Sequence, residues 1–457
     1  MNKKKFYVTT AIDYVNAEPH VGHAFEKVLA DVLARWKRQK SNEVFFLTGV
    51  DENAQKNVQS AEKAGMPVKE FINKNTNFFK ELCKKLNISY DKFIRTTAKE
   101  HSEVVKKILK KIIDNGDIYK GEYEGYYCAG CEAYLTEKDL VNGKCPEHNK
   151  KPEYKKEEAY FFRLSKYKNK LIKFTENYIV PESRKKEILA RLKEDLRDVC
   201  ISRKGAELGV DFPGDKNFKV WVWIDALVNY VSGSSKNWPA NVHVIGKGIN
   251  WFHSVIWPAL LMSAEIELPK KLLVHGYLNI NGKKMSKSLG NVIEPIKLIE
   301  KYGTDAVRYS LLRCSVFEDS DYSEELLISR YNNELANKLG NLVSRVAGLI
   351  EKYGLEKCEN KLLKKLELKK IEKHFGNYEF DKVLNETFAF IDACNEYVQN
   401  RKIWKTKNKK DLYNLKEAIL KIADLLLPFI PESAGKIKKQ FSVKKIKKQE
   451  VLFKKIQ

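Results

Sequence analysis

Three groups of residues in this 457-residue chain have types and spacings suited to chemistry. In "YYCAGCEAYLTEKDLVNGKCPEHNKKP", Cys128 and Cys131 form a C-x-x-C hook, and Cys145 with His148 form a C-x-x-H hook thirteen residues later. Each hook sets two ligands on one tight turn and the spacer folds them together, as a tetrahedral Zn2+ site requires. Four good ligands leave no open position for water, so the expected zinc is structural, a staple holding a small insert. His20 and His23 lie three apart at the start of a predicted helix, so their rings share a face with its free N–H groups and its positive dipole end. Gly22 between them lets a flat ring or a phosphate approach the backbone. The third group is "NGKKMSKSLGNVIEP", residues 281–295, with Lys283, Lys284 and Lys287 set around Met285 among small residues. Taken alone, it reads first as a solvated loop, as roughly nine in ten such lysine clusters do.

The elements that must position these groups can be read from hydrophobic periodicity. "FYVTTAIDYV" is a β-branched and aromatic run, "AFEKVLADVLARWKRQK" carries apolar residues at helical spacing, and "EVFFLTGVDE" is a second buried strand. Strand, helix and parallel strand open a doubly wound, Rossmann-type α/β sheet. The expected organisation is a first half of that catalytic domain at 1–117, a zinc-bearing insert at 118–199, the second half at 200–265, and a connecting region with the lysine loop at 266–324. From 325 to 457 leucine, isoleucine and lysine recur at helical spacing, which predicts an all-α bundle. The tail "KIKKQFSVKKIKKQEVLFKKIQ" reads as a basic amphipathic helix packed on the body or touching nucleic acid, or as a solvated charged face.

Composition adds limits. Lys+Arg number 84 against 60 Asp+Glu, a formal charge of +24, which favours a polyanionic partner. The lysines are spread along the whole chain, so charge alone leaves nucleic acid and general lysine richness equally open. No apolar run approaches a membrane span, and the N-terminus has no signal-peptide or transit-peptide pattern, so a cytoplasmic protein without a membrane partner is expected. The other five cysteines are scattered singly, as suits reduced buried thiols.

His20-Val-Gly-His23 resembles the HIGH signature, and Lys284-Met-Ser-Lys-Ser288 the KMSKS signature, of class I aminoacyl-tRNA synthetases, in the expected order. Within that class the chain most resembles the methionyl-tRNA synthetase family. "YVNAEPHVGHAF", "FFLTGVDE", "ISR", "VWIDALVNYVS", "WFHSVIWPALL" and "KYGTDAVRYSLL" match its blocks in order, from about Tyr7 to Trp404. The resemblance implies activation of L-methionine with ATP to methionyl-adenylate, then transfer to the terminal adenosine of tRNA(Met), with Mg2+ accompanying ATP and the chain a monomer. It assigns His20, His23, Lys284 and Lys287 to catalysis. ATP binding falls to His20, Gly22, His23, Lys284, Met285, Ser286, Lys287 and Ser288. Methionine binding falls to Ile12, Tyr14, Asp51, Arg203, Trp223, Ala226, Leu227, Tyr230, Ile249 and His253, with Asp51 taking the α-amino group. Asn341, Arg345 and Trp404 fall on anticodon-reading positions.

The chain departs from the family pattern at Asn53 and Ala54, where a histidine and a glycine are usual, and at Asp13, Gly248 and Leu227. Gly248 stands in place of an aspartate on the nucleotide side, and Ile403 in place of a proline before Trp404. These departures motivate the alternative of a catalytically weakened tRNA- or nucleotide-binding paralogue.

Overall fold

The computed structural model describes residues 3–456 apart from 129, 131–132, 136, 147–148, 281 and 285–291; of 133, 134, 283 and 284 it describes the backbone only. Two compact units emerge. The first comprises Met1–Pro19, Lys40–Glu81 and Ser89–His275, and the second His20–Gln39, Leu82–Ile88 and Gly276–Gln457.

The first unit holds a seven-stranded sheet in the order Asp13–Tyr14, Glu43–Asp51, Lys5–Thr10, Val242–Gly246, Leu272–His275, Ile179–Val180, with Lys92–Arg95 also paired to Glu43–Asp51. Every pairing is parallel. Strand Lys5–Thr10 is buried at all but its first residue, which explains its continuous run of apolar and β-branched residues: a parallel strand covered on both faces has no polar side to show. Both of its neighbours come later in the chain, Glu43–Asp51 on one side (Val8 opposite Phe46) and Val242–Gly246 on the other (Val8 opposite Val242), so the sheet grows outward in two directions from this strand. Strand order therefore reverses there, and in such sheets ligands bind beyond the carboxyl ends at the reversal. Gly49 is dictated by the sheet, since a Cβ there would lie 2.2 Å from the Ile94 carbonyl oxygen on the paired strand.

The insert is antiparallel. Ile118–Cys128 pairs with Glu153–Phe162 from Ile118 opposite Phe162 to Tyr127 opposite Glu153, flanked by Ala133–Leu135 and Val199–Cys200. A separate small sheet joins Ser202–Lys204, Asp215–Val220 and Asp211–Phe212.

The second unit is mainly helical, with Asn341–Tyr353, Phe380–Asn400, Lys409–Leu426 and Pro431–Phe441 as its long helices after Glu324. The helix Val21–Gln39 belongs to this unit, and its Trp36 ring stacks on Phe375 at 3.8 Å between centroids, 4° from parallel. Of the basic tail, 436–441 completes the helix Pro431–Phe441; beyond Phe441 the described chain forms bends, with no further helix or strand among the described residues. It packs back nonetheless, burying Ile446 and Phe453, and Asn332 exchanges two hydrogen bonds with the Ile456 backbone, each 2.9 Å. Paired lysines at helical spacing repel one another along a helix, so the tail takes side-chain partners for its backbone instead. Among the described residues, no helix is long and apolar enough to cross a membrane.

Candidate active site

Nine of the ten residues assigned to methionine come from segments at or just beyond the carboxyl ends of central strands, or from the helix Val222–Gly233. Asp51 ends its strand and is 2% exposed; its Oδ1 accepts the Asn53 backbone N–H at 3.2 Å and the Thr96 hydroxyl at 3.5 Å. Ile12, Tyr14, Trp223, Leu227, Tyr230 and Ile249 pack into one apolar cluster, and Ala226 is buried on the same helix. Trp223 meets the Tyr14 ring edge-on, 6.2 Å between centroids, and stacks on Phe252 at 3.7 Å. Flat polarisable surfaces of this kind suit a thioether, which has no donor and accepts only weakly.

The polar end of this cluster is held in a defined tautomer. The His253 Nδ1 lies 3.0 Å from the Ile249 carbonyl, which can only accept, so that nitrogen carries the proton. Nε2 in the neutral ring then accepts from the Tyr230 hydroxyl at 2.7 Å. Behind them, Tyr7 donates to the Tyr230 carbonyl at 2.7 Å, and burial pushes the Tyr7 phenol well above its ordinary range. Arg203 stands at the rim, donating through Nη1 to the Ser202 carbonyl at 2.7 Å, its guanidinium 5.3 Å from the Tyr127 and Trp221 ring centroids. A cleft of about 410 Å³ opens there, lined by Asn53, Tyr127, Lys155, Arg203 and Trp221.

Sequence reasoning missed two contributors. Phe252 supplies the stacking partner of Trp223; it lies in the aromatic stretch "NWFHSVIWPALL" but on none of the assigned pocket positions. Lys56 extends its ammonium over the Tyr14 ring, 3.5 Å from the centroid, and donates to the Gly130 carbonyl at 3.1 Å. Nothing in periodicity marks it. Two of the departures find structural roles: Asn53 donates to Asp225, and Ala54 is fully buried at the start of the helix Gln55–Lys63. Leu227 is a core residue, and Gly248 lies in a short helical turn, Lys247–Ile249.

In the second unit, the His20 and His23 rings lie 3.8 Å apart between centroids, tilted by 30°, at the start of Val21–Gln39. The His20 backbone N–H donates to His23 Nδ1 at 3.0 Å, and the Gly22 N–H to His20 Nδ1 at 3.1 Å. Both Nδ1 atoms are thereby acceptors, and each neutral ring carries its proton on Nε2. Two N–H donors on one helix start are chemistry that suits an anion. The Val21 N–H, one of the helix's unsatisfied donors, bonds the Ile293 carbonyl at 3.1 Å, so the return from the lysine loop meets the histidine turn. Lys284 lies in a two-residue strand paired with Leu278–Ile280; Met285, Ser286, Lys287 and Ser288 lie outside the described residues.

Cys128 and Cys145 are both buried, whereas Cys131 and His148 lie outside the described residues. Among the described residues no cluster of three or more metal-capable side chains occurs. Two shielded thiols at the insert's turns are the donor chemistry a structural zinc takes.

In the bundle, Asn341 and Arg345 are exposed one turn apart on Asn341–Tyr353, and Trp404 is 40% exposed on the four-residue helix Ile403–Thr406. Lys402 and Lys407 bracket that helix, both in the left-handed region at φ 48° and 51°.

Comparison with known proteins gives this arrangement its family. Residues 6–151 and 137–347 match the family described as tRNA synthetases class I (M), and residues 359–455 match the anticodon-binding domain of tRNA ligase. The chain is 43% identical to the methionine–tRNA ligase of Clostridium tetani over 478 aligned positions, covering 97% of this chain and 74% of that protein. The corresponding ligase of Clostridium acetobutylicum is also 43% identical, at 96% and 74% coverage. The solved Mycobacterium tuberculosis methionyl-tRNA synthetase in complex with methionyl-adenylate superimposes with a TM-score of 0.92 at 37% identity, covering 96% of this chain and 94% of that one. The chain therefore belongs to the methionyl-tRNA synthetase family of class I aminoacyl-tRNA synthetases and has its methionine–tRNA ligase activity.

Proposed function

We propose that the ligase reaction runs on the residues described above, in two steps. In the first, a methionine carboxylate oxygen attacks the α-phosphorus of ATP; the new O–P bond forms as the bond to pyrophosphate breaks. Both partners are negative, so the work is positioning and charge neutralisation rather than acid–base chemistry. His20 and His23 donate through Nε2–H to the phosphate oxygens, while Lys284 and Lys287 take the pyrophosphate end, with Gly22, Met285, Ser286 and Ser288 bringing the backbone close. Mg2+ arrives with ATP and neutralises part of the triphosphate charge. In the second step a hydroxyl of the terminal adenosine of tRNA(Met) attacks the methionyl carbonyl, and AMP leaves.

In this reading Asp51 holds the α-ammonium, Arg203 orders the charges at the rim, and Ile12, Tyr14, Trp223, Ala226, Leu227, Tyr230, Ile249 and His253 enclose the thioether. Cys128, Cys131, Cys145 and His148 would hold a structural Zn2+ that cross-links the insert. Asn341, Arg345 and Trp404 read unstacked anticodon bases by edge hydrogen bonds and stacking. One chain suffices for both steps.

The observation that carries this reading is the pair of backbone hydrogen bonds that commits both histidine rings to present Nε2–H. The test is methionine-dependent ATP–pyrophosphate exchange, with leucine, isoleucine, valine and cysteine in parallel. Exchange with methionine alone is the expected result. Exchange of equal rate in a His20→Ala, His23→Ala double variant would remove the histidines from the mechanism.

A further inference from the structure

The methionine site has two ends, the Asp51 carboxylate and the apolar helix Val222–Gly233, and one side chain joins them. Asn53 follows Asp51 by two residues; its backbone N–H donates to Asp51 Oδ1 at 3.2 Å. Its side-chain Nδ2 donates to Asp225 Oδ2 at 2.7 Å and to the Thr96 carbonyl at 3.3 Å. Asp225 is fully buried in the first turn of the pocket helix, between Trp223 and Ala226. Its other oxygen lies 2.8 Å from His101 Nε2, and His101 Nδ1 lies 2.6 Å from the Ser232 hydroxyl, two turns along the same helix. His101 is 1% exposed and comes from the helix Lys99–Asp114.

A buried carboxylate is tolerated only when its oxygens are satisfied, and both Asp225 oxygens have partners on other elements. His101 clamps the helix at two points along its length, which fixes rotation as well as distance. Asn53 then ties the clamped helix to the strand end that carries Asp51. A core brace alone needs none of these polar groups, because apolar residues of similar volume would hold the helix as well.

We propose that Asn53, Asp225 and His101 are positioning residues that set the Asp51 carboxylate at a fixed distance from the thioether pocket, so that the ligand is measured from ammonium to sulfur. The proposal rests on the assignment of Asp51 to the α-ammonium. It gives Asn53 a defined task at a position where the family usually has histidine: either side chain offers an N–H to Asp225.

The test compares binding of L-methionine with that of its des-amino analogue, 4-(methylthio)butanoate, by titration calorimetry on the full chain. Wild type, Asn53→Ala, Asn53→Asp and Asn53→His are measured, with the folded state of each checked by thermal unfolding. Wild type favours methionine. Asn53→Ala and the isosteric Asn53→Asp, which offers no donor and places a second carboxylate against Asp225, lose about tenfold of that preference, as loss of a buried hydrogen bond to a charged group predicts. The analogue, which never reaches Asp51, binds all variants within about twofold on the same argument. Asn53→His restores the preference. If wild type does not distinguish the two ligands, the ammonium role of Asp51 fails and the proposal with it. If wild type distinguishes them and Asn53→Ala does so equally, Asp51 keeps its role and the positioning chain is refuted. Equal loss for both ligands, or loss of the folded state in every variant, would mark the chain as a structural brace and also overturn the proposal.

Discussion

Arg308 and Asp31 form an ion pair with no exposed side-chain surface on either partner, Nη1 to Oδ2 at 2.7 Å. Three of the four other guanidinium hydrogens go to the carbonyls of Leu86, Pro428 and Phe429, and Arg35 adds a second donor to Asp31 at 2.7 Å. The helix that begins with His20 and His23 is thus anchored at Asp31, eight residues after His23, by an arginine from the block "KYGTDAVRYSLL". Removing one member leaves an uncompensated buried charge, at a cost of about 3–5 kcal/mol. Arg308→Ala is expected to unfold at markedly lower denaturant than wild type, and Arg308→Lys, which cannot reach all four acceptors, falls between them. Chemical denaturation followed by circular dichroism reads both; an unchanged midpoint for Arg308→Ala would contradict the anchor.

His23→Ala should lower the exchange rate on the order of tenfold to a thousandfold, as loss of one oriented donor does. KM for methionine should change little, because the proposed role of the ring is toward phosphate and not toward methionine. A selective rise in that KM would contradict the assignment.

Cys131→Ser and Cys145→Ser should each lower the zinc content of purified protein well below one per chain and loosen the insert to proteolysis. Metal analysis with limited digestion reads both effects. Full stoichiometry in either variant would count against the four-ligand site.

Trp404→Ala should raise KM for tRNA in aminoacylation by about five- to a hundredfold, the range that loss of base stacking implies, with pyrophosphate exchange unchanged. Equal charging of tRNA by the variant would remove Trp404 from recognition.

Burial, with His253 nearby, holds the His243 imidazole well below its ordinary range; its Nδ1 bonds Thr9 at 2.7 Å and its ring lies 4.2 Å from Tyr230. In the unfolded chain that group takes up a proton near pH 6.5, whereas the folded chain does not. The stabilisation is therefore full above about pH 6.5 and is lost as pH falls below it. His243→Gln should flatten the fall in stability on the acid side of that value. An unchanged slope would remove His243 as its source.

Much of this was legible in the sequence because it is local. The strand–helix–strand opening, the histidine turn and the leucine-rich bundle all depend on spacing within a few residues, and each appears at its expected place. The apolar pocket residues were legible only through family resemblance, since Trp223, Leu227 and Tyr230 carry the same periodicity as any buried helix. What could not be read was tertiary. His101 meets Asp225 across 124 positions, and Lys56 meets Gly130 across 74, through folding that no short-range pattern encodes. The tail beyond Phe441 misled for a related reason: its spacing admits a helix, and only the contacts of Ile446, Phe453 and Asn332 decide otherwise.

The two left-handed lysines around Ile403–Thr406 bear on how quickly a nucleic acid can be sampled and rejected. Neither Lys402 nor Lys407 is glycine, so each conformation is held by its surroundings at a cost of about 1–2 kcal/mol and is not freely exchanged. Trp404 is carried between them, 40% exposed. If Trp404 reads an anticodon base, as proposed above, mismatched partners are expected to differ from the right one in dissociation more than in association.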